Sequence, residues 1–150
     1  MQESKELEDV YDRCIASGYL SDCDVINVGK IDKSVLLSEE FLASARDAIK
    51  KKLWNAGYNS FYDALHLLVE AFLMFDKTKS YNHQCLFAYL CLKYPELEFD
   101  WNFFERARMR RNGINYYAEL VTENMWKEDS LQFELYISLL KKEIQKRLKE

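Results

Sequence analysis

Proline occurs once and glycine four times in 150 residues. A chain this poor in breakers lacks the turns that a sandwich or barrel needs, and long helices with short connections are what it can build. An excess of basic charge is also missing. The net charge is -4 and the pI is near 5.3, so no global field favours nucleic acid and any phosphate contact has to be local. Histidine occurs twice, at His66 and His83, and the four cysteines (Cys14, Cys23, Cys85 and Cys91) form no CxxC pair. That set does not make a zinc site, and a chain with this much core material needs no disulfide framework, so the expectation is reduced, partly buried thiols and no metal. No window approaches the ~18 apolar residues of a membrane span. Met1-Gln2-Glu3-Ser4 opens a polar stretch without an apolar signal region, so a soluble, cytoplasmic chain is expected, with no membrane partner. Gly-rich phosphate loops, zinc-protease motifs and nucleophile elbows are absent as well, and no cofactor is implied.

What is present is apolar and aromatic: 49% hydrophobic and 15% aromatic residues, enough for one core in one domain. The periodicity predicts helices over residues 4–17, 34–54, 58–75, 81–93, 101–122 and 130–148, with residues 18–33 as an irregular connector. Gly18 is placed to end the first helix and Ala56-Gly57 to close the second. Ser80 is the expected cap of the fourth helix, Pro95 its stop, and Asp129 or Ser130 the cap of the sixth. The third helix is apolar almost all round, which marks a central or interface element. The expected fold is all-α: an up-and-down four-helix bundle over residues 34–150, preceded by an accessory helix and connector over 1–33.

Two features carry chemistry. Phe104, Ala107, Arg111, Ile114, Ala118 and Val121 fall at alternating three- and four-residue steps, so an arginine interrupts the apolar stripe of the fifth helix. A buried guanidinium needs an acid, a ligand phosphate or a route to water. Asn112 follows it, and Gly113 in mid-helix suggests a close backbone approach by a partner or ligand. Arg108 lies one turn earlier and Tyr116 just over one turn later, while Arg106 and Arg110 read as a solvated face. In the third helix, Asn59, Asp63, His66 and Glu70 form a polar stripe. It is either the wet edge of that helix or an acid–histidine cluster, in which Asp63, His66 or Glu70 would face Arg111. His83 falls in the first turn of the fourth helix, where the helix dipole disfavours an imidazolium. Lys50-Lys51-Lys52 suits the last turn of its helix on the same grounds.

The run Tyr58-Asn59-Ser60-Phe61-Tyr62-Asp63-Ala64-Leu65-His66, with Glu70-Ala71-Phe72-Leu73 after it, resembles the paired-tyrosine helix of HEPN domains (higher eukaryote and prokaryote nucleotide-binding). His83, the Arg-rich element at 108–112 and the segment from Gly18-Tyr19-Leu20 to Leu42 fall in that family's order, so the resemblance covers about residues 7–145. It implies a bundle that commonly dimerises. Among archaeal and bacterial members it implies a toxin–antitoxin setting or a small (minimal) nucleotidyltransferase partner. Active members are metal-independent ribonucleases whose signature is an Arg, a polar residue and then a His four to six positions after the Arg. In such members Arg steadies charge on the scissile phosphate and His does acid–base work in a cleft between two protomers. Arg111 and Asn112 match that signature, but Tyr116 stands where the His is expected, and no His follows His83. The expected role is therefore binding of a nucleotide or RNA phosphate through Arg108, Arg111, Asn112, Tyr116 and His83, or of a nucleotidyltransferase partner, without the usual ribonuclease activity. The alternatives are a ribonuclease using Arg111 with Tyr116 or a displaced His83, and a purely structural interaction module.

Overall fold

A computed structural model describes residues 2–150. The chain forms α1 (Gln2–Ala16), β1 (Leu20–Asp22), α2 (Val28–Lys50), α3 (Trp54–Met74), β2 (Thr78–Ser80), α4 (His83–Lys93), a 3-10 turn at Pro95–Leu97, α5 (Trp101–Tyr116) and α6 (Glu123–Leu148). This is an all-α helical bundle with one small antiparallel ribbon, in which Leu20 pairs with Ser80, Ser21 with Lys79 and Asp22 with Thr78. None of the described helices is long and apolar enough to cross a membrane.

α3 is the centre of the bundle, in contact with α2, α4, α5 and α6, while α1 lies mainly on α4. Its burial on several sides is the reason it reads as apolar almost all round: Tyr58, Phe61, Tyr62, Leu65, Leu68 and Phe72 are all buried. Tyr58 and Phe61 meet Trp126 and Phe133 of α6, and Phe87 of α4 stacks on Phe104 of α5 with centroids 4.6 Å apart. Gly57 is not a helix stop. It lies in the first turn of α3, where a Cβ would overlap the Ile49 side chain, so glycine lets α2 and α3 close on each other. The turn between them passes through Lys52 at φ +61°.

Several boundaries differ from the sequence reading, each because of a local hydrogen bond. The 18–33 connector is only partly irregular, since β1 occupies its start and α2 begins at Val28, with Asn27 Oδ1 accepting from the Lys30 N–H at 3.0 Å. Asn82, not Ser80, caps α4 by accepting from the Cys85 N–H at 3.0 Å. The Ser80 hydroxyl instead binds Asn82. α6 starts seven residues early because Thr122 caps it, accepting from the Met125 N–H at 3.2 Å. α5 stops at Tyr116 rather than 122. Ala118 turns left-handed at φ +53°, and the Gly113 carbonyl accepts from the N–H groups of both Tyr117 and Glu119. Ala118 and Val121 therefore leave the stripe. Gly113 does mark a close approach, but from the chain's own loop, since a Cβ there would lie 3.1 Å from Glu119 Cβ.

The thiol expectation fails for one pair. Cys14 of α1 and Cys85 of α4 are joined in a disulfide with their Cα atoms 5.7 Å apart, because α1 packs on α4 and brings them together. Cys91 is a buried free thiol and Cys23 an exposed one. Thiol usage therefore no longer argues for a reducing compartment.

Candidate functional site

The polar stripe of α3 is not a wet edge. Asp63, His66 and Glu70 are half-buried, and they meet the start of α4 and the middle of α5. The His66 ring lies against the His83 ring with centroids 3.9 Å apart. His66 Nε2 contacts Glu70 Oε1 at 3.1 Å, a spacing of one helical turn. His83 Nδ1 is hydrogen-bonded to the Tyr62 hydroxyl at 3.0 Å. On α5, Glu105 holds Arg108 through two contacts of 3.2 and 3.3 Å and also accepts from Gln84 Nε2 at 2.9 Å, which ties α5 to α4.

Arg111 lies over the face of Tyr62, 5.4 Å from the ring centroid. This is a cation–π contact and not an ion pair. Its Nε is buried without a hydrogen-bond partner. Arg106, Arg108 and Arg110 all have carboxylate partners, so Arg111 is the α5 arginine without one among the described residues. Asp63 is near enough for the Arg111 charge to be felt at its carboxyl. Of the three acids or histidines expected to serve Arg111, none takes it as an ion pair. Glu70 and His66 hold each other.

The electrostatics follow from this crowding. Burial, with the charges of His66 and Arg111 beside it, pushes the His83 imidazole down to about 4, so it is neutral at ordinary pH. Burial pushes the Asp63 carboxyl up, against the pull of Arg111 and His66. Burial would raise Glu70 too, but the His66 hydrogen bond, with the charges of His66 and Lys30 beside it, outweighs burial, and Glu70 sits below its ordinary value. A histidine titrating near 4 in the folded chain and near ~6.5 unfolded makes the unfolded chain bind more protons between those limits. Stability is then lost as the pH falls from about 6.5 towards 4. Urea unfolding between pH 7 and 4.5 is expected to show this slope, and His83→Asn is expected to flatten it. An unchanged slope in the variant would mean that His83 titrates normally.

Tyr116, Arg106 and Arg110 are placed differently from the sequence reading. Tyr116 is 68% exposed at the end of α5, edge-on to Tyr117, and is not part of the histidine–arginine cluster. Asn112 is half-buried on α5. Arg106 and Arg110, read as a solvated face, instead converge on Asp129, which is 0% exposed in α6. Arg106 Nε donates to Asp129 Oδ1 and Arg110 Nη1 to Oδ2, both at 2.8 Å, and the Tyr58 hydroxyl donates to Oδ2 at 2.7 Å. The signal missed was Asp129 itself, which lies on the inward stripe of α6 between Trp126 and Phe133. Glu105 and Tyr62 were also missed as members of the cluster. Glu105 is one turn before Arg108, a spacing that could have revealed the pair. Tyr62 is the ring one residue before Asp63 in the third helix.

No family model, curated protein or solved structure matches this chain.

Proposed function

We propose that the protein is a HEPN-like module that binds the phosphate of a nucleotide or RNA at Arg111, with Arg108 as the second cation, and does not cleave it. The observation that supports this most directly is Arg111 itself: a guanidinium held on Tyr62, with a buried Nε and no carboxylate. A phosphate would supply the charge-assisted acceptor that the fold does not. Against cleavage stands the position of Tyr116, whose phenol is exposed at the end of α5 beside Tyr117. A cytoplasmic setting and a homodimer or a small nucleotidyltransferase as partner belong to the same proposal. The exposed Met109, Tyr116, Tyr117 and Leu120 around the end of α5 offer an apolar surface for such a partner.

Titration with pyrophosphate and short RNA, followed by NMR shifts of α5 amides, tests the reading. Arg111→Ala is expected to weaken binding about tenfold to a hundredfold, the range of a lost charge-assisted bond, with unfolding nearly unchanged. Asp63→Asn is expected to strengthen binding by removing a competing negative charge beside Arg111. If Arg111→Ala mainly destabilises the fold and binding persists, Arg111 is structural.

The second reading is a metal-independent ribonuclease. What favours it is the neutral His83 near Arg111, with a second imidazole 3.9 Å away. It requires RNA cleavage in the presence of chelator that disappears in Arg111→Ala.

A further inference from the structure

At the C-terminal end of α3 an arginine of α6 sits in a cage of aromatic rings. The Arg147 guanidinium carbon is 4.4 Å from the Phe72 ring centroid, 5.1 Å from that of Tyr94 and 5.9 Å from that of Phe75. Phe72 and Tyr94 are inclined to each other at 59°, with centroids 4.8 Å apart. Asp76, just past the end of α3, adds a carboxylate. Its Oδ2 accepts from the Tyr89 hydroxyl at 3.1 Å and from the Tyr94 hydroxyl, which leaves Oδ1 towards the guanidinium. Burial, with the Asp76 bond beside it, pushes the Tyr94 phenol up to about 12, so it stays a hydroxyl that can accept from a cation. Aromatic faces, a carboxylate and a hydroxyl oxygen around one point make a site for a desolvated cation.

Arg147 uses that site poorly. Among the described residues, Nη1 is its one hydrogen-bonding nitrogen, donating to the Tyr94 hydroxyl at 3.3 Å, and Asp76 Oδ1 is 3.6 Å away. The ion pairs of Arg46 with Glu134 and of Arg110 with Asp129 close to 2.7 and 2.8 Å. A guanidinium offers five N–H donors in a fork that suits a carboxylate, and the tether to α6 keeps this one from using it. The tether is itself weak. Arg147 lies in the last turn of α6, the buried stripe of that helix ends at Ile144, and Gln145, Lys146 and Lys149 are exposed. Such a helix end opens at low cost. A cavity of about 570 Å³ lies directly beside the cage, since Phe75 and Arg147 form part of its wall. The exposed Ile26 and Val28 give that cavity an apolar side, and Glu143, Glu150 and Lys146 are its charged groups.

The geometry selects among cations. A planar guanidinium stacks on a ring and still has edge N–H groups for Tyr94 and Asp76. A quaternary ammonium has no N–H for either acceptor, and a primary ammonium is a compact, strongly hydrated charge. We infer that Phe72, Phe75, Tyr94 and Asp76 form a receptor for an arginine side chain of a partner polypeptide, entering through the adjoining cavity, and that Arg147 is the internal placeholder it displaces. An arginine carried by a polypeptide is already what occupies the cage, and the cavity has an apolar side and two carboxylates for the residues that flank an incoming one.

Arg147→Ala empties the cage without touching the buried stripe of α6. The ring signals of Phe72, Phe75 and Tyr94 are followed by NMR on the full chain as ethylguanidinium, ethylammonium, tetramethylammonium or a capped glycine–arginine–glycine peptide is added. In the variant, ethylguanidinium is expected to saturate these shifts at about a tenth of the concentration that either ammonium ion needs, the scale of a desolvated cation–π contact with its charge-assisted bond. The peptide is expected to bind more tightly still, and Asp76→Asn in the same background to remove the preference for guanidinium. In the wild type the tethered resident competes at an effective concentration on the order of mM, so the peptide is expected to bind about tenfold more weakly and to move the Arg147 Nε–H signal as it displaces the side chain. Failure of ethylguanidinium to bind the variant, or binding no tighter than ethylammonium, overturns the receptor. A peptide that binds no more tightly than ethylguanidinium overturns the polypeptide ligand. The wild-type measurement does not depend on the variant's folding: an Arg147 Nε–H signal that stays in place throughout the peptide titration makes Arg147 a fixed structural latch and overturns the placeholder.

Discussion

Asp129→Ala is expected to destabilise the protein by about 3–5 kcal/mol, the cost of removing one partner from a buried charge network. Asp129 is fully buried, and three groups depend on it: the guanidinium groups of Arg106 and Arg110, and the hydroxyl of Tyr58. The arginines do not suffer equally. Arg110 retains Glu128 at 3.0 Å and the Met125 carbonyl at 3.2 Å, whereas Arg106 retains only a long contact to Gln132 at 3.4 Å. Among the described residues no other side chain hydrogen-bonds the Tyr58 hydroxyl, and burial beside the Asp129 charge holds its phenol protonated. Asp129→Asn should therefore cost less than Asp129→Ala, because an amide oxygen still accepts from Tyr58. Tyr58→Phe added to Asp129→Ala should cost less than the two single changes together, since the hydroxyl left unpaired by the first is removed by the second. Denaturant unfolding of the three variants and the wild type measures this coupling. Additive losses would mean that Tyr58 and Asp129 do not depend on each other.

That network also shows where sequence reasoning stops. α3 was legible as a central helix because it is apolar almost all round, apart from the stripe of Asn59, Asp63, His66 and Glu70. Arg111 was legible because it interrupts a stripe, and His66 and Glu70 because they are four residues apart in one helix. Each of these signals is local. The meeting of His66 with His83 is not, since it depends on the angle at which α4 returns across α3. Nor is the capture of Arg106 and Arg110 by an acid 23 and 19 residues further on. On the sequence alone, Asp129 beside Ser130 is an ordinary helix cap, and two arginines on a basic helix are an ordinary solvated face. The end of α5 was overrun for a related reason. Ala118 and Val121 have helical spacing and helical composition, and only the hydrogen bonds of Gly113 to the returning loop show that the chain has already turned. The three-residue strands were too short to leave an alternating pattern.

The disulfide is the other element that no local pattern could give, and its removal is the second large effect. Cys14 and Cys85 are 71 residues apart, so the bond closes a loop that runs from the end of α1 through α2, α3 and the ribbon to the start of α4. For a loop of that length, restriction of the unfolded chain alone contributes about 4 kcal/mol. The native side of the balance points the same way. α1 buries only Val10 and Cys14 and rests mainly on α4, whereas α3, α4, α5 and α6 share the aromatic core. Without the bond, α1 is held by one valine, the half-buried Leu7 and Tyr11, and the contact of Lys93 with the Tyr11 ring. Cys14→Ala with Cys85→Ala is thus expected to lower global stability by about 4 kcal/mol and to release α1 before the rest. Hydrogen exchange should show it as fast exchange confined to residues 2–16, with α3 and α6 still protected at low denaturant. Thiol reduction of the wild type should reproduce both effects. If the double variant unfolds at the wild-type denaturant concentration and α1 keeps its protection, the packing of α1 on α4 is sufficient and the bond is dispensable.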